Sequence, residues 1–174
     1  TLAGVSNQEV GWGLEGESWN FLAALGVLGG DSWFRLGDRD LAIHTYRRKR
    51  MEEGATLTKV TDEICSHLGV AYKVLPMSDD PVRTQVITPD GNLEFQHYFV
   101  RDRCTPTAIG FKFAGIENAS INPAITAALE TRPDAIVICP SNPFVSIDPI
   151  LNIPNMRNRL RDTKSTILAV SPIV

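Results

Sequence analysis

Cysteine is scarce in this chain, and its spacing excludes two classes of site. The 174 residues include 3 cysteines, and no two of them form a C-x-x-C pair. No cysteine–histidine spacing matches a zinc site, and an odd number of isolated cysteines is typical of a reducing cytosol rather than of a disulfide framework. We therefore expect a cytoplasmic protein in which Cys139 packs as a small apolar residue within a strand.

Other signatures of partners and reactions are missing too. No apolar run approaches the roughly 18 residues that span a bilayer, and no segment has the pattern of a signal peptide. The formal net charge is −3, which gives no electrostatic reason to expect nucleic acid or a membrane surface as a partner. The chain contains no P-loop and no nucleophile elbow, and its 3 histidines identify no base for a serine or cysteine nucleophile.

The most informative stretch is a short apolar segment followed by an abrupt polar turn. Residues 135–139 are apolar and mostly β-branched, which predicts a strand buried on both faces of a parallel sheet. Ligands of open α/β sheets bind beyond the carboxyl ends of the strands. The Ser141, Asn142 and Ser146 side chains that follow are therefore candidate donors to phosphate oxygens or sugar hydroxyls. Ordinary turn chemistry explains the same residues, and both interpretations stay open.

The rest of the chain alternates predicted helices and strands. Helices are expected over residues 19–28, 38–53, 56–69, 122–132 and 154–161 from their caps and periodicity. Strands are expected over residues 70–75, 83–88, 93–100, 109–113 and 166–174, with a hairpin around 89–92 and with Phe95, His97 and Phe99 on one face. We predict one α/β domain over residues 1–174, incomplete at both ends, with a Rossmann-like, mostly parallel sheet, flanking helices and a β-hairpin excursion.

A polar cluster surrounds the start of the predicted helix 38–53. It combines acids, bases and a glycine: Arg35, Gly37, Asp38, Arg39, Asp40 and His44. Asp38 can be the N-cap of that helix, with Asp40 complementing the helix dipole. Alternatively, Arg35 and Arg39 can hold anionic or aromatic substrate groups through their planar guanidinium groups. The sequence leaves these two interpretations equally open.

A second cluster, Ser78-Asp79-Asp80, follows the predicted strand 70–75. Adjacent carboxylates at the carboxyl end of a strand can bind Mg²⁺ directly or through water. They can also accept hydrogen bonds from a nucleobase or a hydroxyl group. A solvated Ser-Asp-Asp-Pro turn is the alternative.

Four blocks of this sequence resemble, in order and spacing, the 2-phospho-L-lactate transferase family. They are Leu36-Gly37-Asp38-Arg39-Asp40-Leu41-Ala42 with His44; Pro76-Met77-Ser78-Asp79-Asp80-Pro81-Val82-Arg83-Thr84; Pro140-Ser141-Asn142-Pro143 with Ser146-Ile147; and Val170-Ser171-Pro172-Ile173. Trp12-Gly13-Leu14-Glu15 matches a further segment ahead of them. The resemblance covers nearly the whole chain.

This resemblance implies a role in making the deazaflavin coenzyme F-420. Family members transfer a phospholactyl or phosphoenolpyruvyl group from a guanosine diphosphate (GDP) conjugate to the ribityl hydroxyl of 7,8-didemethyl-8-hydroxy-5-deazariboflavin, and GMP leaves. They use Mg²⁺, whose ligands the sequence does not assign. The resemblance implies that Arg35 contacts the deazaflavin, and that Ser141, Asn142 and Ser146 hold the diphosphate or the nucleoside. The other expected substrate-binding residues are Arg39, His44, Ser78, Asp79 and Asp80, while Asp38 and Asp40 are candidate catalytic carboxylates that orient the ribityl hydroxyl.

One departure from the family pattern has consequences for activity. The family begins with a glycine-rich strand–turn–helix segment and an acidic stretch, and this chain has neither, so it is expected to lack part of the active site. A nucleotide-sugar-binding regulator on the same scaffold and a non-catalytic fragment are the alternative functions. The blocks around Asp38 and Asp79 favour the transferase. The sequence does not choose between lactyl and enolpyruvyl donors. A homodimer is possible, and the sequence does not decide the oligomeric state.

Overall fold

The computed structural model describes residues 2–8 and 13–172. They form two compact units, one up to Val74 and one from Leu75 onward. The expected single domain stays a prediction, because compact units within a chain can belong to one domain. Among the residues described, no helix is both long enough and apolar enough to cross a bilayer.

The first unit is helical. It contains α1 (Asn20–Val27), α2 (Asp38–Glu52) and α3 (Leu57–His67), close to the predicted bounds. The Thr56 hydroxyl accepts a hydrogen bond from the Lys59 amide at 3.2 Å, so that of the two threonines the sequence offers as a cap, Thr56 and Thr58, Thr56 caps α3. Val60 has no exposed surface and lies at the core of this unit.

A charged network joins α2 to α3. The Arg50 guanidinium donates to both carboxylate oxygens of Glu63, at 2.9 and 3.0 Å. The Tyr46 hydroxyl donates to the same carboxylate at 3.0 Å. The Glu63 side chain is only 16% exposed, so this two-pronged pair is shielded from solvent more than an ordinary surface ion pair.

We expect the loss of thermal stability at acidic pH to depend on this network. Hydrogen bonds from Arg50 and Tyr46 hold the pKa of Glu63 at about 2, against an ordinary value of 4.5. Because the folded-state pKa is the lower one, the stabilisation is fully present above about pH 4.5 and is lost as the pH falls towards 2. Glu63→Gln should therefore lower Tm at pH 7 and flatten the loss of Tm over that window, as followed by circular dichroism.

Glu52→Gln is the matched control for this experiment. Glu52 pairs with Arg48 on α2, and both side chains are more than half exposed. Exposed pairs of this kind contribute little to stability. Glu52→Gln should show the same dependence of Tm on pH as the unaltered protein. If Glu63→Gln also shows that unaltered dependence, the account of the network is contradicted.

The second unit opens with an antiparallel sheet. Its strands are β1 (Arg83–Thr88), β2 (Gly91–Glu94) and β3 (Gly110–Ala114), in the order β2-β1-β3. Thr88 pairs with Gly91, which leaves a tight Pro89-Asp90 turn and confirms the predicted hairpin. Val86 of β1 is completely buried.

The second arm of the hairpin is shorter than the sequence predicts. β2 ends at Glu94, and a π-helical turn over His97–Arg101 follows. The Phe95 and Phe99 rings stack with their centroids 5.6 Å apart, as residues four apart do on a helical turn. The predicted strand face shared by Phe95, His97 and Phe99 is therefore wrong, since helical spacing turns His97 away from the two phenylalanines.

The remainder of this unit is a strand–helix–strand arrangement. Helix α4 (Pro123–Glu130) precedes β4 (Ala135–Ile138), and a π-helical turn over Pro143–Ile147, α5 (Asp148–Leu151) and α6 (Met156–Asp162) lead to β5 (Thr166–Ala169). β4 and β5 pair in parallel, which confirms the predicted unit and the α/β class. In the described residues this is the only parallel pairing, because the other sheet is antiparallel.

Three expectations about strands are wrong. β4 is not buried on both faces, since Val137 is 54% exposed and Cys139 is exposed as well. Residues 166–174, whose apolar composition predicts a core strand, contain β5, which is exposed along its length. Residues 70–75 form no strand, because no strand of the described residues pairs with them. Each expectation assumed that an apolar run is covered by another layer or paired with another strand. Within residues 2–8 and 13–172 the covering layer or pairing strand that was expected is absent.

Candidate functional site

The first polar cluster lies where the beginnings of α1 and α2 cap each other. The Glu17 carboxylate, just before α1, accepts the backbone N–H groups of Arg39 at 2.7 Å and Asp40 at 3.2 Å. A Cβ on Gly37 would collide with the Glu17 side chain, so this capping requires glycine at the position before α2. A negative side chain on the first N–H groups of a helix is favoured by the helix dipole.

Asp38 completes the reciprocal half of this arrangement. Its carboxylate accepts four hydrogen bonds, from the Ser18 hydroxyl at 2.8 Å, from the Asn20 amide nitrogens at 3.1 Å each, and from the Phe21 N–H at 3.0 Å. These bonds, led by the one from Ser18, lower the pKa of Asp38. Asp38 is thus the first residue of α2 and at the same time the cap of α1, rather than the cap of its own helix as the sequence suggested.

Arg35, Arg39 and His44 surround this start. The Arg35 guanidinium lies over the Trp19 ring at 4.8 Å from the centroid, a cation–π contact that leaves Arg35 exposed. Arg39 donates to the Glu15 carbonyl and so ties α2 to the preceding loop. His44 contacts Arg47 at 2.7 Å, and partial desolvation together with that positive neighbour lowers the pKa of His44.

Asp40 differs from Asp38 in its surroundings. It lines a small cavity of about 50 Å³ together with Glu17, Trp19 and Gly37. The remaining lining residues of that cavity are Asn7, Gly13 and Leu14. The cluster therefore divides into a carboxylate that holds two helices together, Asp38, and one that borders a cavity, Asp40.

In the second unit, the Ser78-Asp79-Asp80 block forms a firmly held loop. Ser78 is only 3% exposed, and its hydroxyl donates to the Ser120 carbonyl at 2.6 Å. The Asp80 carboxylate accepts the Ser120 N–H at 2.8 Å, so the bonds between this loop and Ser120 run in both directions. Asp79 lies between these two anchored residues and is half-buried.

The third block lies beyond the carboxyl end of β4, as the sequence predicts. The Asn142 side-chain oxygen accepts the N–H groups of Phe144 at 2.9 Å and Val145 at 3.3 Å, and so caps the turn that follows. Ser141 and Ser146 are among the residues that line an apolar pocket of about 520 Å³. Because β4 and β5 are parallel and Ile138 pairs with Ala169, Ser171 emerges at the same edge of the sheet.

The apolar pocket is lined by one sheet and its helices. Its walls come from α4, β4, the turn after β4, α5 and α6: Ile125, Leu129, Ile136, Val137, Ile138, Cys139, Ile147, Ile150, Leu151, Met156 and Leu160. The polar side chains of its lining are Ser141 and Ser146. An apolar cavity with a few polar groups is the usual form of a small-molecule site.

The donor set for a divalent metal is sparse in the described part of the chain. No group of three or more His, Cys, Asp or Glu side chains is arranged to hold a metal within those residues. Mg²⁺, however, is commonly held by one or two carboxylates together with substrate phosphates and water. The Asp79–Asp80 pair fits that requirement, with Asp80 already accepting a hydrogen bond from Ser120.

The predicted site residues fall into local groups. Arg35, Asp38, Arg39, Asp40 and His44 lie together in the first unit, and Ser78, Asp79 and Asp80 lie together in the second. Ser141, Asn142 and Ser146 form the third group. The Trp12 and Ile173 positions of the matched blocks lie outside the described residues. None of these predicted roles is tested by the arrangement alone.

Sequence reasoning missed the residues that hold these groups in place. Glu17 was not singled out, although an acid within a glycine-rich loop ahead of two helices was a signal for capping. Ser120 was not singled out, and Asn122 was identified only as the start of a helix. Their contacts with the loop at residues 76–80 span 40 to 46 residues of sequence, which no local pattern shows.

Together these features define a class of protein. It is an α/β protein with ligand-type loops at strand ends, an apolar pocket at one of them, and carboxylates and arginines grouped near helix starts. A family model, 2-phospho-L-lactate transferase CofD, matches residues 21–174. The chain therefore belongs to the 2-phospho-L-lactate transferase CofD family, as its four sequence blocks predicted.

Named relatives agree with this assignment. A 2-phospho-L-lactate transferase of Methanosarcina mazei is 39% identical over 163 residues, which is 94% of this chain and 53% of that protein. A phosphoenolpyruvate transferase of Mycolicibacterium smegmatis is 37% identical over 183 residues, covering 100% of this chain and 55% of that protein. The chain thus spans about half the length of these relatives.

A solved structure supports the fold. The crystal structure of a UPF0052 family protein from Bacillus halodurans aligns with 98% of this chain and 50% of its own chain, at a TM-score of 0.59 and 17% identity. At that identity the likeness concerns the fold alone. It confirms the mixed α/β architecture predicted from the sequence.

Proposed function

We propose that the protein transfers a phospholactyl or phosphoenolpyruvyl group from a GDP conjugate to the ribityl hydroxyl of 7,8-didemethyl-8-hydroxy-5-deazariboflavin, releasing GMP. The observation that carries this proposal is the family match over residues 21–174. Relatives named for both donors, phospholactate and phosphoenolpyruvate, support the reaction class and leave the donor open. The widely spaced cysteines support a cytoplasmic setting.

The arginine-rich cluster suits the acceptor. Deazaflavin is a flat aromatic ring system, and the Arg35 guanidinium already lies over the Trp19 ring in a cation–π contact. A planar cation can stack on a second aromatic face from its open side, because guanidinium is weakly hydrated. Arg35 is therefore assigned to the deazaflavin, with Arg39 and His44 as further contacts of the substrate.

The two acids of this cluster are assigned different roles. Asp38 accepts four hydrogen bonds, which stabilise its charged form and weaken it as a proton acceptor. Asp40 borders the cavity, so we assign it to orient the ribityl hydroxyl for attack on phosphorus. Asp38 holds the helix starts that place Arg35 and Asp40.

The loops of the second unit suit the donor. Mg²⁺ supplies charge neutralisation on the phosphate oxygens, and phosphoryl transfer depends on such neutralisation and on positioning more than on a covalent residue. Asp79 is assigned to hold the metal, directly or through water, from the loop that Ser78 and Asp80 anchor. Ser141, Asn142 and Ser146 are assigned to the diphosphate or the nucleoside at the end of β4.

Two equilibrium binding measurements on the protein at its full natural length test this function. Deazaflavin fluorescence should change on titration with the protein, and calorimetry should show binding of GDP in the presence of Mg²⁺. A nucleotide sugar serves as the competing ligand. Tight nucleotide-sugar binding without deazaflavin binding would select the regulatory alternative and overturn the proposal.

Arg35→Ala should weaken deazaflavin binding about five- to thirtyfold, because a cation–π or stacking contact contributes roughly 1–2 kcal/mol. Nucleotide binding should change less than twofold, since the residues assigned to the donor do not include Arg35. Arg48→Ala is the matched control, because its side chain is 82% exposed and pairs along α2 with Glu52. Equal losses for both ligands in Arg35→Ala would contradict the assigned role.

A further inference from the structure

Asn122 makes more contacts within the second unit than the capping of a short helix requires. It is 1% exposed, which makes it one of the most buried polar residues of this chain among those described. Its side-chain oxygen accepts the Ala124 N–H at 2.9 Å and so caps α4. Capping uses that oxygen alone, whereas Asn122 makes further contacts through its two nitrogens.

Both nitrogens of Asn122 reach the loop at residues 76–80. The side-chain amide donates to the Pro76 carbonyl at 3.0 Å, and the backbone N–H donates to the Met77 carbonyl at 3.0 Å. These two carbonyls directly precede the Ser78-Asp79-Asp80 block. Asn122 therefore clamps the loop on the side where the chain enters it.

The same segment, residues 115–122, holds the loop at two more places. We call this segment the cradle. Ser120 exchanges hydrogen bonds with Ser78 and Asp80. Gly115 has a φ of +88°, and a Cβ there would collide with the Pro81 carbonyl, so only glycine lets the cradle approach the far end of the loop.

We propose that Asn122 is a positioning residue, which sets the orientation of the Asp79 carboxylate through its clamp on Pro76 and Met77. The inference rests on the proposed function for the role given to Asp79, and on the hydrogen bonds above for the clamp itself. Asp79 lies between residues that are fixed at Met77 on one side and Asp80 on the other. The chain on both sides of Asp79 is thus held by the cradle.

Asn122→Asp separates the clamp from the cap. Aspartate keeps the acceptor that caps α4, and it is as favourable as asparagine at an N-cap. It replaces the amide donor by an oxygen that faces the Pro76 carbonyl, so two acceptors repel each other where a hydrogen bond was. Ala127→Gly is the matched control, because Ala127 is exposed on α4 and glycine weakens the helix without touching the loop.

The test has one arm that needs no substrate. Hydrogen–deuterium exchange is measured at the Asp80 and Ser120 amides, which are bonded to the Ser78 hydroxyl and the Asp80 carboxylate. In Asn122→Asp both amides should exchange faster than in the unaltered protein. In Ala127→Gly they should not. Unchanged exchange in Asn122→Asp would overturn the clamp.

The second arm measures turnover against Mg²⁺ concentration in the protein at its full natural length. Asn122→Asp should lower kcat or raise the Mg²⁺ requirement by about ten- to a hundredfold, as loss of an outer-shell partner does, while KM for deazaflavin stays within twofold. Ala127→Gly should leave all three values near those of the unaltered protein. Unchanged kcat and Mg²⁺ dependence, or equal losses in both variants, would overturn the positioning role. If the unaltered protein has no transferase activity, the proposed function fails, and the exchange arm still decides whether Asn122 holds the loop.

Discussion

Asp79→Asn is expected to lower kcat of the transfer reaction about a hundredfold, because it removes a carboxylate assigned to hold Mg²⁺, and a fixed positive charge that acts on the transition state contributes roughly 10²–10³ in rate. The substitution keeps the size and shape of the side chain and removes its negative charge. The loop around it is held by Ser78, Asp80 and Asn122, so it should keep its conformation. The measurement is kcat over a range of Mg²⁺ concentrations, with thermal unfolding as the check on folding.

Asp90→Asn is the control for that experiment. Asp90 lies in the exposed turn of the β1–β2 hairpin, and asparagine suits that turn as well as aspartate does. It removes one negative charge from the same unit at a position with no assigned role. We expect kcat within twofold of the unaltered protein. A kcat within twofold for Asp79→Asn as well would contradict the role given to Asp79.

Ile153→Ala should give the largest loss of stability in the second unit. Ile153 is 1% exposed and lies between α5 and α6, where its N–H bonds to Ile150 and its carbonyl to Met156. Removing its buried methyl groups costs about 2–5 kcal/mol, as transfer free energy and as a cavity that cannot fully collapse. The free energy of unfolding is measured by urea denaturation followed by circular dichroism.

Ile153→Val is the graded control. It removes one methylene from the same position and should cost about 0.5–1.5 kcal/mol. The slope of the free energy against urea should be the same in both variants, which shows that the surface exposed on unfolding is unchanged. A loss below 1 kcal/mol in Ile153→Ala would show that this residue is not part of a close-packed core.

Helices of this protein could be predicted from the sequence because their signals are local. Thr56 and Asn122 cap α3 and α4 as their positions before apolar periodic stretches indicate. The hairpin turn at Pro89-Asp90 was readable for the same reason. In each case the deciding hydrogen bond joins residues within about four positions of each other.

Strand burial could not be predicted in the same way, because it depends on what another segment supplies. Residues 93–100 alternate like a strand, yet after Glu94 the chain turns and stacks Phe95 on Phe99 instead. Residues 135–139 have the composition of a central strand, and Val137 is nevertheless 54% exposed. An apolar run shows which surface a segment can bury, but it does not show whether another segment is present to cover that surface.

The candidate site shows the same division. The order of the polar blocks along the chain was enough to place Ser141 and Asn142 beyond β4 and to identify the family. The contacts that hold the site were not readable, because Glu17 reaches Arg39 across 22 residues and Asn122 reaches Pro76 across 46. Capping and clamping by distant side chains arise only when the chain is folded.

GMP formation tests the central claim most directly. The protein at its full natural length is incubated with deazaflavin, the GDP conjugate and Mg²⁺, and nucleotides and deazaflavin products are resolved by chromatography with mass detection. The account predicts that GMP appears only when all three are present, in one-to-one ratio with a deazaflavin that has gained a phospholactyl or phosphoenolpyruvyl group. No GMP, or GMP formed without that product, would contradict it.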